Sequence, residues 1–269
     1  MYEVKRLKIA GYHSEPVDNT FFLQEHPTDH LSIIFPGMGY TSHMPLLYYP
    51  ARLLLILGDD VLRLEYDYNK RPEFLKLPLP ERAEWMLRDV SAACKAVSSQ
   101  RSYQRITLIG KSIGTLAMGH LLTTDAMFEK AQTVWLTPLL RNESLRTQIK
   151  QCGQHSLFVI GTADPHYDPD YLAEAKAATN GESLVVEGAD HSLEIEGDLL
   201  QSLKAMERVV LAIEKFLMGW AWESPETSSL TSLITFIWGT REDFRWKLIF
   251  CVYGVLLLSF TFIFYIENK

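Results

Sequence analysis

Ser112 stands in the segment Gly110-Lys111-Ser112-Ile113-Gly114, after the apolar run Arg105–Ile109 and before a helix-forming stretch through Leu122. A G-x-S-x-G turn between a strand and a helix forces its serine into a strained conformation that presents the hydroxyl at the sheet's C-terminal edge. That hydroxyl is a poor nucleophile until a neighbouring base takes its proton, and an imidazole base needs a carboxylate to fix its tautomer. Residue types for both roles end two further apolar runs. Gly161-Thr162-Ala163-Asp164-Pro165 follows Leu157–Ile160, and Gly188-Ala189-Asp190-His191-Ser192 follows Leu184–Val186. A third turn, Pro36-Gly37-Met38-Gly39-Tyr40, follows Leu31–Phe35 and has the small residues that let a ligand approach the main chain. Amides already in place there stabilise a developing oxyanion by several kcal/mol. The chemistry these types point to is acyl transfer through a covalent serine intermediate.

Such residues converge only if the strands bearing them lie side by side. Over residues 1–220, short β-branched and apolar runs alternate with longer helical patterns, which predicts an α/β domain with a mostly parallel sheet covered on both faces. The expected strands are Leu31–Phe35, Val61–Tyr66, Arg105–Ile109, Thr133–Leu136, Leu157–Ile160 and Leu184–Val186. Segments near residues 4–10 and 20–25 read as an antiparallel edge hairpin ahead of them. Pro80 opens a helix whose apolar face runs Ala83, Met86, Leu87, Val90, Ala93, Cys94, Val97. A last helix carries Leu199, Leu200, Leu203, Met206, Val210, Ile213 and Leu217, with Gly219 placed to end it.

The chain order Ser112, Asp164, His191, with the elbow between a strand and a helix, resembles the α/β-hydrolase superfamily over roughly residues 30–218. It resembles in particular the small dienelactone-hydrolase-like and uncharacterised members. The resemblance implies an α/β-hydrolase fold with Ser112 as nucleophile, His191 as general base and then acid, and Asp164 as the group orienting the imidazole. It also implies that the oxyanion donors are the amides of Met38 and Ile113. Pro36-Gly37 stands where a His-Gly pair is common, and Tyr40 and His43 are candidates to line the acyl pocket. Lys111 replaces a His or aromatic residue frequent before the nucleophile, and its side chain is expected to point away from Ser112. His166, Asp168, Asp170 and Asp190 read as solvated loop residues, and His120 as a structural member of the helix after the elbow. His13, His26, His30 and His155 have no partner motif. Only one connecting helix fits between Leu136 and Leu157, so no lid is expected and the cleft should be open.

Composition sets outer limits on this reading. Twenty-six Lys plus Arg against 33 Asp plus Glu, a net charge of −7, exclude the electrostatic footprint of a nucleic-acid binder. With 47% hydrophobic residues the chain can bury a large core, and three widely spaced cysteines imply neither a disulfide framework nor a zinc site. Dinucleotide, Walker and metalloprotease motifs are missing, so no cofactor or metal is expected. The hydrophobicity is uneven. Leu248 to Ile266 is uncharged, and as a helix would be roughly 28 Å long, near the hydrocarbon thickness of a bilayer. A C-terminal transmembrane helix is therefore expected over 248–266, behind a 221–247 linker and before a 267–269 tail. Within the linker, Leu230, Leu233, Ile234, Ile237 and Trp238 recur at helical spacing, either as an interfacial helix or as one packed on the domain. Arg241, Arg245 and Lys247 ahead of the span put the large domain on the cytoplasmic side. The expected function is a membrane-tethered serine hydrolase acting on a small or lipid-derived ester. The alternatives are a catalytically silent scaffold of this fold and an acyltransferase using the same residues. Oligomeric state is not legible.

Overall fold

Alternation of β-branched runs with amphipathic segments produces an eight-stranded sheet, in the order β1-β2-β4-β3-β5-β6-β7-β8. A computed structural model describes residues 1–223, with side chains described to residue 219. The strands are β1 (Tyr2–Lys5), β2 (Asn19–Gln24), β3 (His30–Phe35), β4 (Asp60–Leu64), β5 (Arg105–Lys111), β6 (Gln132–Leu136), β7 (Ser156–Gly161) and β8 (Glu182–Val186). From β4 through β8 all neighbours are parallel, while β2 runs antiparallel to both β1 and β4. The helices are α1 (Pro45–Leu57), α2 (Pro72–Lys76), α3 (Leu79–Ser98), α4 (Ile113–Thr124), α5 (Glu143–Cys152), α6 (Pro169–Thr179) and α7 (Leu199–Glu223).

Parity along each strand decides which helices a residue meets. Ile33 and Phe35, Leu62 and Leu64, Leu108, Trp135, Phe158 and Ile160 join one core cluster with apolar residues of α3, α4, α5 and α6. Residues of opposite parity, such as Ile34, Val61, Ile109 and Lys111, turn to the other face, where α1 packs on β3 and β4. Between β6 and β7 the chain makes turns and the single helix α5, so no lid is inserted there.

Three expectations are corrected. The first strand is Tyr2–Lys5, not a segment near residues 4–10. It stops because the Asn19 side chain replaces the ladder, its Oδ1 accepting from the Leu7 N–H at 3.0 Å and its Nδ2 donating to the Leu7 carbonyl at 2.9 Å. The last helix continues past Gly219 to Glu223. A lone glycine weakens a helix by about 1 kcal/mol but does not by itself end it. The inward face of α7 is Ala205, Val209, Ile213 and Phe216, whereas Leu199, Leu200 and Leu203 are 74%, 70% and 58% exposed.

Two units are distinguishable, Met1–Phe216 and Leu217–Lys269, and the sheet belongs to the first. Among the described residues no helix is long and apolar enough to cross a membrane. The expected linker and transmembrane helix lie outside the described residues.

Candidate active site

The site is assembled at the C-terminal edge of the parallel strands. Ser112 joins β5 to α4 with φ 53° and ψ −118°, a backbone region that strains any residue with a Cβ. The elbow is held from two sides. The Ser112 N–H donates to the Leu136 carbonyl of β6 at 3.1 Å, and the Thr115 N–H donates to the Ser112 carbonyl at 2.9 Å. Gly114 is required by close approach, because a Cβ there would collide with the carbonyl of Phe35 on β3.

His191 arrives on the loop between β8 and α7. Its Nε2 lies 2.9 Å from Ser112 Oγ and its Nδ1 lies 2.8 Å from Asp164 Oδ2. The Asp164 carboxylate, after β7, is fully buried, and its other oxygen accepts from the His166 N–H at 2.8 Å. The two loops lock together: the Ala163 N–H donates to the Ala189 carbonyl at 3.0 Å, and a Cβ on Gly161 would strike that same carbonyl. Asp190 shapes the histidine turn, its Oδ1 accepting from the amides of Ser192 at 2.7 Å and Glu194 at 3.0 Å.

The loop after β3 borders the serine. A Cβ on Gly37 would lie 3.3 Å from the Ser112 Cβ, and the Gly37 N–H closes the turn onto the Tyr40 carbonyl at 3.0 Å, with Met38 inside it. Ile113 is the first residue of α4, where helical N–H groups have no acceptor within the helix and the dipole favours negative charge. The glycine turn after β3 and the first residue of α4 thus both adjoin Ser112.

Tyr40 and His43 are not brought into the cleft alike. Tyr40 is buried, its hydroxyl oxygen accepting from the Leu46 N–H at 3.0 Å, and burial pushes its phenol up to about 12. His43 is exposed beside Glu65, at 3.4 Å, and Arg63, at 3.5 Å, rather than beside His191. Asp168 caps α6 by accepting from the amides of Asp170 and Tyr171. His155 Nδ1 lies 3.0 Å from the Asn180 carbonyl and its ring stacks on Phe216. His120 is half-buried on α4, which lowers its pKa.

Two neighbours have surroundings that the sequence reading does not anticipate: His166, expected to be a solvated loop residue, and Lys111. The His166 ring lies 5.4 Å from the His191 ring, with its Nδ1 buried and unpartnered among the described residues, and burial lowers its pKa. Lys111 is fully enclosed, and its Nζ donates to the His191 carbonyl at 3.0 Å. The available signal was a cation at the end of an otherwise apolar strand, since such a group must find a partner when buried.

The fold has relatives among solved structures. The esterase Pf2001 of Pyrococcus furiosus matches with a TM-score of 0.61 at 15% identity, covering 81% of this chain and 92% of that one. XC6422 of Xanthomonas campestris, described as a serine hydrolase without a lid, matches with a TM-score of 0.60 at 18% identity, covering 81% and 95%. Est1E of Butyrivibrio proteoclasticus, with ferulic acid bound, matches with a TM-score of 0.59 at 13% identity, covering 76% and 95%. No curated protein matches the chain. The model of the alpha/beta hydrolase domain matches residues 30–218, the span that contains the glycine turn after β3, the elbow and the loops of Asp164 and His191, and the chain belongs to the α/β-hydrolase family.

Proposed function

We propose that this chain is a serine hydrolase that cleaves carboxylic ester or related acyl bonds through an acyl-enzyme at Ser112. The observation that carries the reading is the continuous path from Ser112 Oγ to His191 at 2.9 Å and on to Asp164 at 2.8 Å. In this reading Asp164 accepts from Nδ1–H, leaving Nε2 free to take the serine proton as Oγ attacks the acyl carbon. The amides of Met38 and Ile113 receive the oxyanion. The imidazolium then returns its proton to the leaving oxygen as the C–O bond breaks. Water, deprotonated by His191, attacks the acyl group, and the acid and free Ser112 are regenerated. The single connecting helix between β6 and β7 supports an open cleft that admits water, which favours hydrolysis over transfer to another acceptor. The similarity to the Pyrococcus furiosus esterase agrees with an ester as the bond cleaved.

The direct test is labelling with a fluorophosphonate probe. Wild-type protein should be labelled at Ser112, and folded Ser112→Ala and His191→Ala should not. Equal labelling of wild type and Ser112→Ala, or none in either, overturns the reading in favour of a silent scaffold.

The same proposal places the domain at a membrane, on the cytoplasmic side, held by Leu248 to Ile266 and acting on a small or lipid-derived ester. The exposed Leu199, Leu200 and Leu203, a few residues beyond His191, support an apolar approach to the cleft. Arg at both Leu256 and Leu257 costs about 2.5–3.5 kcal/mol per residue at the centre of a span. Full-length chain should therefore resist carbonate extraction from membranes and the double variant should be released; equal behaviour contradicts the tether.

A further inference from the structure

Lys111 ends β5 and immediately precedes Ser112, and strand parity turns its side chain to the α1 face of the sheet. It is 1% exposed. An ammonium group in such a place is costly unless its donors are satisfied. Among the described residues its close partners are a main-chain carbonyl and a ring face. Nζ donates to the His191 carbonyl at 3.0 Å and stands 4.5 Å from the centroid of the Tyr40 ring. Both partners belong to loops that serve the candidate site. His191 carries the imidazole, and the Tyr40 carbonyl closes the turn that holds Met38.

We infer that Lys111 is a positioning residue, tying the loop of the general base to the oxyanion loop through one buried cation. The inference rests on the serine-hydrolase reading of the site. With one hydrogen bond to the first loop and one ring contact to the second, the lysine fixes both loops relative to the strand that presents Ser112. Other ionisable groups act on it at longer range. Asp164 and Asp190 favour its charged form, against burial, which lowers its pKa to about 8. His166 and His191 stand close by on the neighbouring loops. Glu194 faces Tyr40. At neutral pH the lysine is mainly a cation and Tyr40 a neutral ring, the pairing that a cation–π contact requires.

Misplacing a catalytic group by about 1 Å costs on the order of a hundredfold in rate. Lys111→Met keeps the length and apolar stem but removes both contacts. With a p-nitrophenyl ester it should lower kcat by about ten- to a hundredfold and leave KM within about twofold, with the fluorophosphonate labelling rate falling in parallel. Its melting temperature should not fall, since replacing a buried charge by an apolar group of similar volume is often neutral or stabilising. Wild-type kcat in Lys111→Met, or a loss of kcat matched by raised KM and a lowered melting temperature, overturns the inference. Should Lys111→Met fail to fold, Tyr40 decides. Tyr40→Phe keeps the ring face and should retain several times the kcat of Tyr40→Leu, and equal values for the two overturn the tie. Wild type and Ser112→Ala run alongside. Unlabelled wild type defeats the serine-hydrolase reading itself, whereas labelled wild type with an equally reactive Lys111→Met defeats only the tie.

Discussion

Ser112 holds its hydroxyl in place at the expense of its own backbone. A positive φ of 53° on a residue with a Cβ stores strain on the order of 1–3 kcal/mol, which a glycine would relieve. Ser112→Gly should therefore unfold above Ser112→Ala by about 2–4 °C in a thermal melt while both lose activity. A lower melting point for the glycine variant would place the strain elsewhere. In the proposed mechanism Asp164 acts at one remove, through the hydrogen bond between its buried carboxylate and His191 Nδ1. Asp164→Asn should fold normally yet lose on the order of 10⁴ in kcat, because the amide favours the wrong imidazole tautomer. Ser112, Asp164 and His191 were legible in the sequence because each stands just past an apolar run, where a parallel sheet presents residues along one edge. Lys111 was legible only as a type. Its partner is the main-chain carbonyl of a residue far along the chain, and no side-chain pattern announces that contact.

At the scale of elements, strands were read better than helix faces. A buried parallel strand is a short apolar run bounded by turn residues, so β3 through β8 fall where the pattern puts them, with ends moved by a residue or two. Only the start of the expected α7 stripe fails: Leu199, Leu200 and Leu203 have the right type but are exposed, while Ile213 and Leu217 are buried as expected. Exposed leucines and core leucines look the same in one sequence. The β1 boundary was misplaced for a different reason, since the Asn19 amide substitutes for a strand and leaves no periodic signature. Packing between loops also explains why Gly161 is glycine. Gly161→Ala pushes against the Ala189 carbonyl and parts the Asp164 loop from the His191 loop. Overpacking of this kind costs about 1–3 kcal/mol, and here activity should fall further than stability. A denaturant melt alongside kcat separates the two, and an unchanged rate would show that the loops tolerate separation.

At the scale of the whole molecule, a buried carboxyl at the end of the sheet opposite the candidate site makes stability depend on pH. Asp59, at the entry to β4, is buried against Ser32 at 2.5 Å, and burial pushes its carboxyl up to about 6. The folded state then binds more protons than the unfolded chain between about pH 4 and pH 6, so this group adds stability as pH falls through 6. Wild type should gain stability relative to Asp59→Asn on acidification from pH 7 to 4 in urea melts; a constant difference would contradict the assignment. The Ser112, His191 and Asp164 path lies at the other end of the strands, and its chemistry has one decisive signature. Mixing the full-length protein with p-nitrophenyl acetate, quenching in acid at early times and sequencing the peptides by mass spectrometry should locate one acetyl group on Ser112. A burst of p-nitrophenol should match it in amount. Release of p-nitrophenol with no acetyl group on Ser112, or an acetyl group that persists at Ser112 in His191→Ala at the wild-type rate, would contradict the account.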